Sequence, residues 1–232
     1  MVVGGGQLAK AFSSFLYDDS VCIFASGVSN SACVVESEFD REKELLLEHL
    51  NGSKNKKFIY FSSCALSPDD YMFNAYYEHK NKMEQLIKKN SDSYYIFRIP
   101  QLFGDLILHK TIVNFIYKAI VHNHKFNVYN GAYRYVIEID DLRELVSKYI
   151  ALSKPNVVID FANPYKYSVL ELVITFEKVL KTTASYNLVD KNDSYVLNLS
   201  AMDEFVKNNG LDFSFGEDYF ERKIEQKISK II

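Results

Sequence analysis

The chain has 232 residues, of which 48% are apolar and 25% charged, with a formal net charge of −3. That length suits one α/β domain with a small appended lobe and allows a sizeable core. The lysines are scattered and the charge is close to balanced, so the concentrated basic surface that a nucleic-acid partner requires is excluded. No apolar stretch approaches the ~20 residues of a membrane span, and no signal peptide precedes the first apolar run. The three cysteines, Cys22, Cys33 and Cys64, fit no zinc spacing, and Cys22 in an apolar run reads as a buried free thiol. A reducing, cytoplasmic setting is the matching expectation.

In chain order, Met1–Val3 is a short apolar opening, followed at once by Gly4-Gly5-Gly6-Gln7-Leu8-Ala9. Residues 10–17 carry Ala11, Phe12, Phe15 and Leu16 at helical spacing. After the turn at Asp18-Asp19-Ser20, residues 21–25 form a near-continuous apolar run, the pattern of a buried parallel strand. A polar loop over 27–31 follows, then a helix over 39–50 with Leu45, Leu46 and Leu50 on its apolar side. Residues 58–61 are the next buried strand, ending in Ser62-Ser63. A helix is predicted over 74–89, a strand over 94–99 closing at Pro100, and a helix over 111–122. Short strands are expected at 126–129 and 135–138, a helix at 141–152, a strand at 157–161, and a helix at 168–180 with Ser168 as N-cap. The last part predicts a strand over 195–199 and a charged helix from about Tyr219. This alternation of strands and helices predicts a mostly parallel sheet covered on both faces, within a single domain whose part from about residue 105 onward supplies a small lobe.

Two groups of residues carry chemistry. In Gly4-x-Gly6-x-x-Ala9 the first glycine permits a tight turn, the second lets a phosphate approach the backbone, and the small third residue lets the helix pack on the strand. The helix N-terminus then offers free N–H groups to a pyrophosphate. A tight turn without ligand uses the same residues. In the second group, Tyr76 and Lys80 lie one helical turn apart on one face, with Glu84 a turn further on. An ammonium beside a phenol opposes the phenolate charge and lowers its pKa, which suits the tyrosine to acid/base work. Ser62 or Ser63, closing a buried strand, can hydrogen-bond a substrate carbonyl, because ligands bind at strand carboxyl ends in such sheets. Any one of these pieces alone is equally a surface feature. Their order along the chain, with glycine turn, strand ending in serines and Tyr/Lys helix, is what carries the reading. His79 reads as an exposed packing residue, and His122 with His124 lacks the further ligands of a metal site.

With these motifs in place, the chain resembles an extended short-chain dehydrogenase/reductase of the nucleotide-sugar epimerase/dehydratase type. The matching segments are Gly4 to Ala9, Phe24-Ala25-Ser26-Gly27-Val28-Ser29, Phe58 to Ser63, Tyr76-Tyr77-Glu78-His79-Lys80, Phe97 to Gly104, and Arg134 to Leu142. The resemblance implies a Rossmann-type sheet and a cofactor, NAD or NADP. Contacts to it would come from Gly4, Gly6, Gln7 and Leu8 at the first turn, from Ala25, Ser26 and Gly27 beyond the second strand, from Tyr76 and Lys80, and from Pro100. Tyr76 would be the acid/base and Lys80 would lower its pKa while holding the nicotinamide ribose. Ser63 would orient the substrate oxygen, with Ser62 as the second choice. Arg134 would contact a nucleotide-sugar phosphate; a salt bridge with Glu138 or a nearby acid is its other reading. Asp140 and Asp141 would start a helix. A homodimer through paired helices is also implied.

The chain departs from that pattern in one large way. In the family, the glycine helix leads to a second strand whose terminal residue selects NAD or NADP at the adenosine ribose. Here the first helix runs straight into residues 21–31, which resemble the family's fourth strand, so a strand–helix–strand portion is absent. Two functions follow. One is an oxidoreductase or epimerase acting on a nucleotide-linked sugar, preferably a 4-keto sugar reductase of surface-polysaccharide synthesis. The other is a non-catalytic binding or partner protein that keeps the scaffold and has lost the dinucleotide.

Overall fold

The computed structural model describes residues 1–68 and 74–231. The chain divides into two compact units. The first comprises residues 1–99 and 142–161, and the second residues 100–141 and 162–232. The chain leaves the first unit at Pro100 and returns to it after Asp141.

The first unit holds a five-stranded parallel sheet. Its strands are β1 (Val2–Val3), β2 (Val21–Phe24), β3 (Lys57–Ser63), β4 (Tyr94–Ile99) and β8 (Val157–Asp160), in the spatial order β1-β2-β3-β4-β8. Every residue of β2 is buried, as is the run Phe58 to Ser62 of β3, so both faces of the sheet are covered. On one face Cys22, Phe24, Phe58, Tyr60 and Ile96 meet α2 (Glu36–Asn51) through Leu46 and Leu50, and α3 (Ala75–Asn90) through Met83 and Ile87. On the other face Phe61 meets Phe12, just after the short α1 (Gln7–Ala11). There Tyr95 and Phe97 pack edge-on against Tyr149 of α5 (Ile139–Leu152).

β1 is the edge of the sheet. The β1–α1–β2 and β2–α2–β3 connections step the same way across the sheet, yet their helices cover opposite faces. The two crossovers therefore have opposite hands. Since parallel crossovers strongly prefer the right hand, and the α2 and α3 connections agree with each other, the short α1 connection takes the left.

The second unit contains α4 (Ile112–Val121), α6 (Val169–Leu180), α7 (Ser200–Asn208) and α8 (Tyr219–Ile228). Its strands are β5 (Gln101–Phe103) paired with β7 (Val136–Glu138), and β6 (Phe126–Arg134) between β10 (Tyr186–Asp193) and β9 (Tyr167–Ser168). Its core gathers Phe103, Val113, Ile116, Phe126, Val128, Leu172, Phe176, Tyr219 and Phe220. Ser168 caps α6 as predicted, in a capping box with Glu171. The sequence reading departs from the structure at two places here. Residues 195–199 are not a strand, and β10 lies at 186–193 instead; α7 was not foreseen.

Gly4 shows why the first turn is made of glycine. Its φ is +124°, and a Cβ there would lie 2.6 Å from the Ala25 carbonyl oxygen. Gly5 meets nothing within 4 Å. Gly4→Ala should therefore lower stability by about 2 kcal/mol or more, while Gly5→Ala should stay within about 0.5 kcal/mol of the parent. Urea denaturation of the two variants checks this, and equal midpoints would remove the strained turn from the account.

Candidate functional site

The glycine turn, the Ser62-Ser63 strand end and the Tyr76/Lys80 helix all belong to the first unit, at the carboxyl ends of its parallel strands. The glycine turn runs directly into α1. Gly6 is the N-cap of that helix, with open space where its Cβ would stand, and Gln7 holds a buried side-chain oxygen that has no hydrogen-bond partner among the described residues. The Leu8 carbonyl is used within the helix, accepting from the Phe12 N–H. Ala25 donates its N–H to the Val3 carbonyl at 2.8 Å, which clamps the end of β2 to the end of β1. Ser26 accepts long 3.4 Å bonds from Arg41.

The two serines divide by the pleat. Ser63 uses its hydroxyl to accept from the Ala65 N–H at 3.3 Å, capping the turn that follows β3. Ser62 lies two residues from Tyr60 and so shares its face, the face that α3 covers. Its hydroxyl is buried and has no partner among the described residues. A buried polar group without a partner points to something else that satisfies it.

At the centre of the site is a residue that the sequence reading missed. Glu42 on α2 is completely buried. Its Oε1 accepts from the Tyr60 hydroxyl at 2.6 Å and from Lys80 Nζ at 3.0 Å. Its Oε2 accepts from the Val28 N–H at 2.6 Å and lies 3.0 Å from His79 Nε2. Lys80 donates in addition to the Tyr60 hydroxyl, at 3.0 Å, and is only 2% exposed. Burial by itself would raise the Glu42 carboxyl, but Lys80, His79, Tyr60 and the Val28 N–H outweigh it and hold the group well below the usual carboxylate range. Gly27 makes room for the pair, since a Cβ there would lie 2.5 Å from Lys80 Nζ and 2.9 Å from Glu42 Oε1.

This arrangement changes the surroundings expected for Tyr76. Lys80 Nζ stands 5.8 Å from the centroid of the Tyr76 ring, with its charge already paired to Glu42. Tyr76 packs with Val28 and Cys33, and Phe39 and Tyr77 border the cluster. Burial, then the Glu42 charge and Tyr77, push its hydroxyl well above the usual phenol value. His79, expected on the surface, is buried and stacks on Phe39 with ring centroids 4.6 Å apart. One turn beyond Lys80, buried Glu84 receives Arg98 in a two-pronged pair at 2.9 and 2.8 Å.

The signal for Glu42 was present in the sequence. Glu42, Leu46 and Leu50 lie four residues apart, so a carboxylate sits on the apolar stripe of α2. On α3 the buried positions Tyr76, His79, Lys80, Met83, Glu84 and Ile87 form one stripe, four of its six residues ionisable. Two such stripes facing one sheet must bring their charges together.

Arg134 belongs to the second unit. It bonds Asp193 there through Nη2 at 2.5 Å and the Tyr133 carbonyl at 2.7 Å. The salt-bridge reading of this arginine thus finds its acid on β10 rather than at Glu138, which pairs with Lys227. Pro100 separates β4 from β5. The rings of His122 and His124 are 5.8 Å apart, and the described residues hold no group of three or more His, Cys, Asp or Glu arranged for a metal ion. None of the described helices is long and apolar enough to cross a membrane.

No protein-family model matches the chain, and no curated protein matches it. Solved structures do. The chain is similar to dTDP-4-dehydrorhamnose reductase from Bacillus anthracis, solved with NADP, at 15% identity and a TM-score of 0.74, covering 97% of this chain and 84% of that one. It is similar to UDP-glucose 4-epimerase from Thermus thermophilus, solved with NAD, at 11% identity and a TM-score of 0.71, covering 97% and 83%. UDP-N-acetylglucosamine 4-epimerase from Bacillus cereus matches at 18% identity and a TM-score of 0.72, covering 99% and 82%. The chain therefore shares the fold of these solved structures.

The buried pair makes two stability predictions. Lys80→Met strands the Glu42 charge and should cost about 3–5 kcal/mol, whereas adding Glu42→Gln to it should restore more than half of that loss. Chemical denaturation of the three proteins reads this directly. Because the folded Glu42 titrates below its ordinary value of 4.5, its contribution is complete above that value and is lost as pH falls beneath it. The wild type should therefore lose more stability between about pH 5 and about pH 3 than the double variant does. Parallel pH profiles would contradict the assignment.

Proposed function

We propose that this protein is a NAD(P)-dependent enzyme acting on a nucleotide-linked sugar, with 4-keto sugar reduction as the preferred reaction. The observation that carries the reading is the unpartnered, buried Ser62 hydroxyl on the β3 face covered by the Tyr76/Lys80 helix. The NAD- and NADP-bound epimerase, reductase and dehydratase structures that share the fold support it.

The residues fit one end of a dinucleotide better than the other. The open side of Gly5 and Gly6 leaves space at the first turn for the pyrophosphate to approach the backbone. Lys80 has three N–H donors and spends two of them, on Glu42 and Tyr60, which leaves one for a ribose hydroxyl. At the adenosine end, β1 is the sheet edge, and among the described residues no strand lies beyond it to carry a ribose-selecting residue. When bound, the nicotinamide supplies or accepts the hydride. The protein's own part is to orient the sugar oxygen with Ser62, in preference to Ser63 whose hydroxyl already accepts a backbone bond, and to hold a proton on the Tyr76 oxygen for transfer to it. The shared scaffold would serve surface-polysaccharide synthesis in a reducing cytoplasm, in a homodimer.

A second reading rests on Glu42. A Lys80 neutralised by a buried carboxylate, together with the missing adenosine wall, suits a binding or partner protein that no longer performs hydride transfer.

Titration with NADPH and NADH, followed by nicotinamide fluorescence and thermal shift, separates the two, because a ligand that binds only the native state raises its apparent stability. Saturable binding is expected, and Tyr76→Phe should retain it while losing turnover of a nucleotide-linked keto sugar by about 100-fold or more. No binding by folded protein would leave the second reading.

A further inference from the structure

The Tyr76/Lys80 pair and the Glu42 carboxylate are a single charge system. We propose that Glu42 is a positioning residue acting through Lys80, fixing the ammonium beside Tyr76 and cancelling its charge, so that Tyr76 meets a ligand as a neutral phenol that donates a hydrogen bond. The inference rests on the reading of Tyr76 as the group that faces the ligand.

The geometry leaves little freedom. Lys80 Nζ is held at 3.0 Å by both Glu42 Oε1 and the Tyr60 hydroxyl, and it lies 5.0 Å from the Tyr60 ring centroid and 5.8 Å from that of Tyr76. Glu42 in turn is fixed from three further elements, by the Val28 N–H in the loop after β2, by Tyr60 on β3 and by His79 on α3. Gly27 provides the space in which Lys80 and Glu42 meet. Both partners are buried, so water does not screen the carboxylate from the ammonium. An ammonium acts on a neighbouring phenol through its net field. Here a carboxylate of opposite sign sits closer to that ammonium than the phenol ring does.

The ionisable groups around Tyr76 come from each packed element. They are Glu42 on α2, Tyr60 on β3, Tyr77, His79, Lys80 and Glu84 on α3, and Cys33 in the loop before α2. Glu84 is answered by Arg98 at 2.8 Å and by Lys88 of its own helix at 3.8 Å, so its charge is met by cations other than Lys80. Glu42 and Lys80 are thus the pair whose balance decides the charge felt by Tyr76. An uncompensated Lys80 would favour a phenolate and a base; a compensated one favours the phenol and a proton donor. The polarity of the step would follow: with a reduced nicotinamide as hydride donor, Tyr76 would give its proton to the carbonyl oxygen as that carbon is reduced to the alcohol, and the phenolate left behind would take a proton back from solvent.

The test uses the full chain without cofactor or substrate, so it stands or falls independently of the proposed reaction. Tyrosine Cζ is labelled with ¹³C, the Tyr76 and Tyr60 signals are assigned with Tyr76→Phe and Tyr60→Phe, and each is followed through a pH titration by NMR. In the wild type, Tyr76 should remain a phenol beyond pH 10, the ordinary value for the group. In Glu42→Gln, which keeps the shape and removes the charge, Tyr76 should ionise at least tenfold more readily, and Glu42→Asp should restore the wild-type behaviour. Tyr76 titrating identically in wild type and Glu42→Gln overturns the proposal. So does ionisation of Tyr76 in the wild type below its ordinary value, and that arm decides the matter even if Glu42→Gln does not fold.

Discussion

A carboxylate sealed inside a protein must be answered from every side, and in this chain that requirement organises the first unit. Glu42 gathers the Val28 N–H, the Tyr60 hydroxyl, His79 and Lys80, which come from the loop after β2, from β3 and from α3. Taking such a group out of water costs several kcal/mol, and only a full set of partners offsets that cost. The packing of α2 against α3 is therefore specified by more than apolar area. Leu46, Leu50, Met83 and Ile87 supply the area, while Glu42 and Lys80 fix where along their axes the two helices meet. A one-turn slip would keep the apolar contacts roughly intact and leave two charges buried alone, which is the sense in which a buried pair buys specificity.

The edge of the sheet in the same unit is built from little chain. β1 has only two residues, and α1 crosses from β1 to β2 on the face opposite α2. A left-handed crossover is disfavoured for a long connection, because the strand twist and the helix both turn the other way. It is achievable here because α1 has only five residues and Gly4 supplies the positive φ that turns the chain sharply. The Ala25 N–H bond to the Val3 carbonyl then ties the two strand ends together.

Much of this was legible in the sequence. The alternation of apolar runs and amphipathic segments specifies the parallel sheet, because a strand buried on both faces must be apolar throughout; β4 falls on the residues read for it. The misses have local causes. Residues 195–199 do alternate, with Leu197 and Leu199 buried and Val196 exposed, but Leu197 donates its N–H to the Tyr135 hydroxyl rather than to a ladder. Burial of period two is thus not proof of a strand. β10 escaped because its residues are mostly exposed or half-buried and present no apolar face, and α7 because Met202 is its single fully buried side chain. Glu42 escaped for a different reason. A charged residue on an apolar stripe reads as the edge of the stripe until its partner on another helix is known, and pairing across elements is information that periodicity does not carry.

The same device appears twice on α3, and together the two instances explain how Tyr76 is held. Lys80 and Glu84 are one turn apart, both buried, and each is answered from a different element: Lys80 by Glu42 on α2, and Glu84 by Arg98 at the end of β4. An i, i+4 lysine and glutamate on an exposed helix would pair with each other. Here each has a closer partner elsewhere, so the helix is pinned at two heights to two other elements. Asn74 caps the helix by accepting the Tyr77 N–H at 3.0 Å, fixing its start. With its start and two successive turns fixed, α3 is held against sliding and rotation, and Tyr76 in its first turn is placed by these contacts together with its own packing on Val28 and Cys33. The position of the phenol and the charge around it are therefore set by one set of residues. A substitution in that set that altered the charge alone, leaving the shape in place, would change what Tyr76 does without changing where it stands.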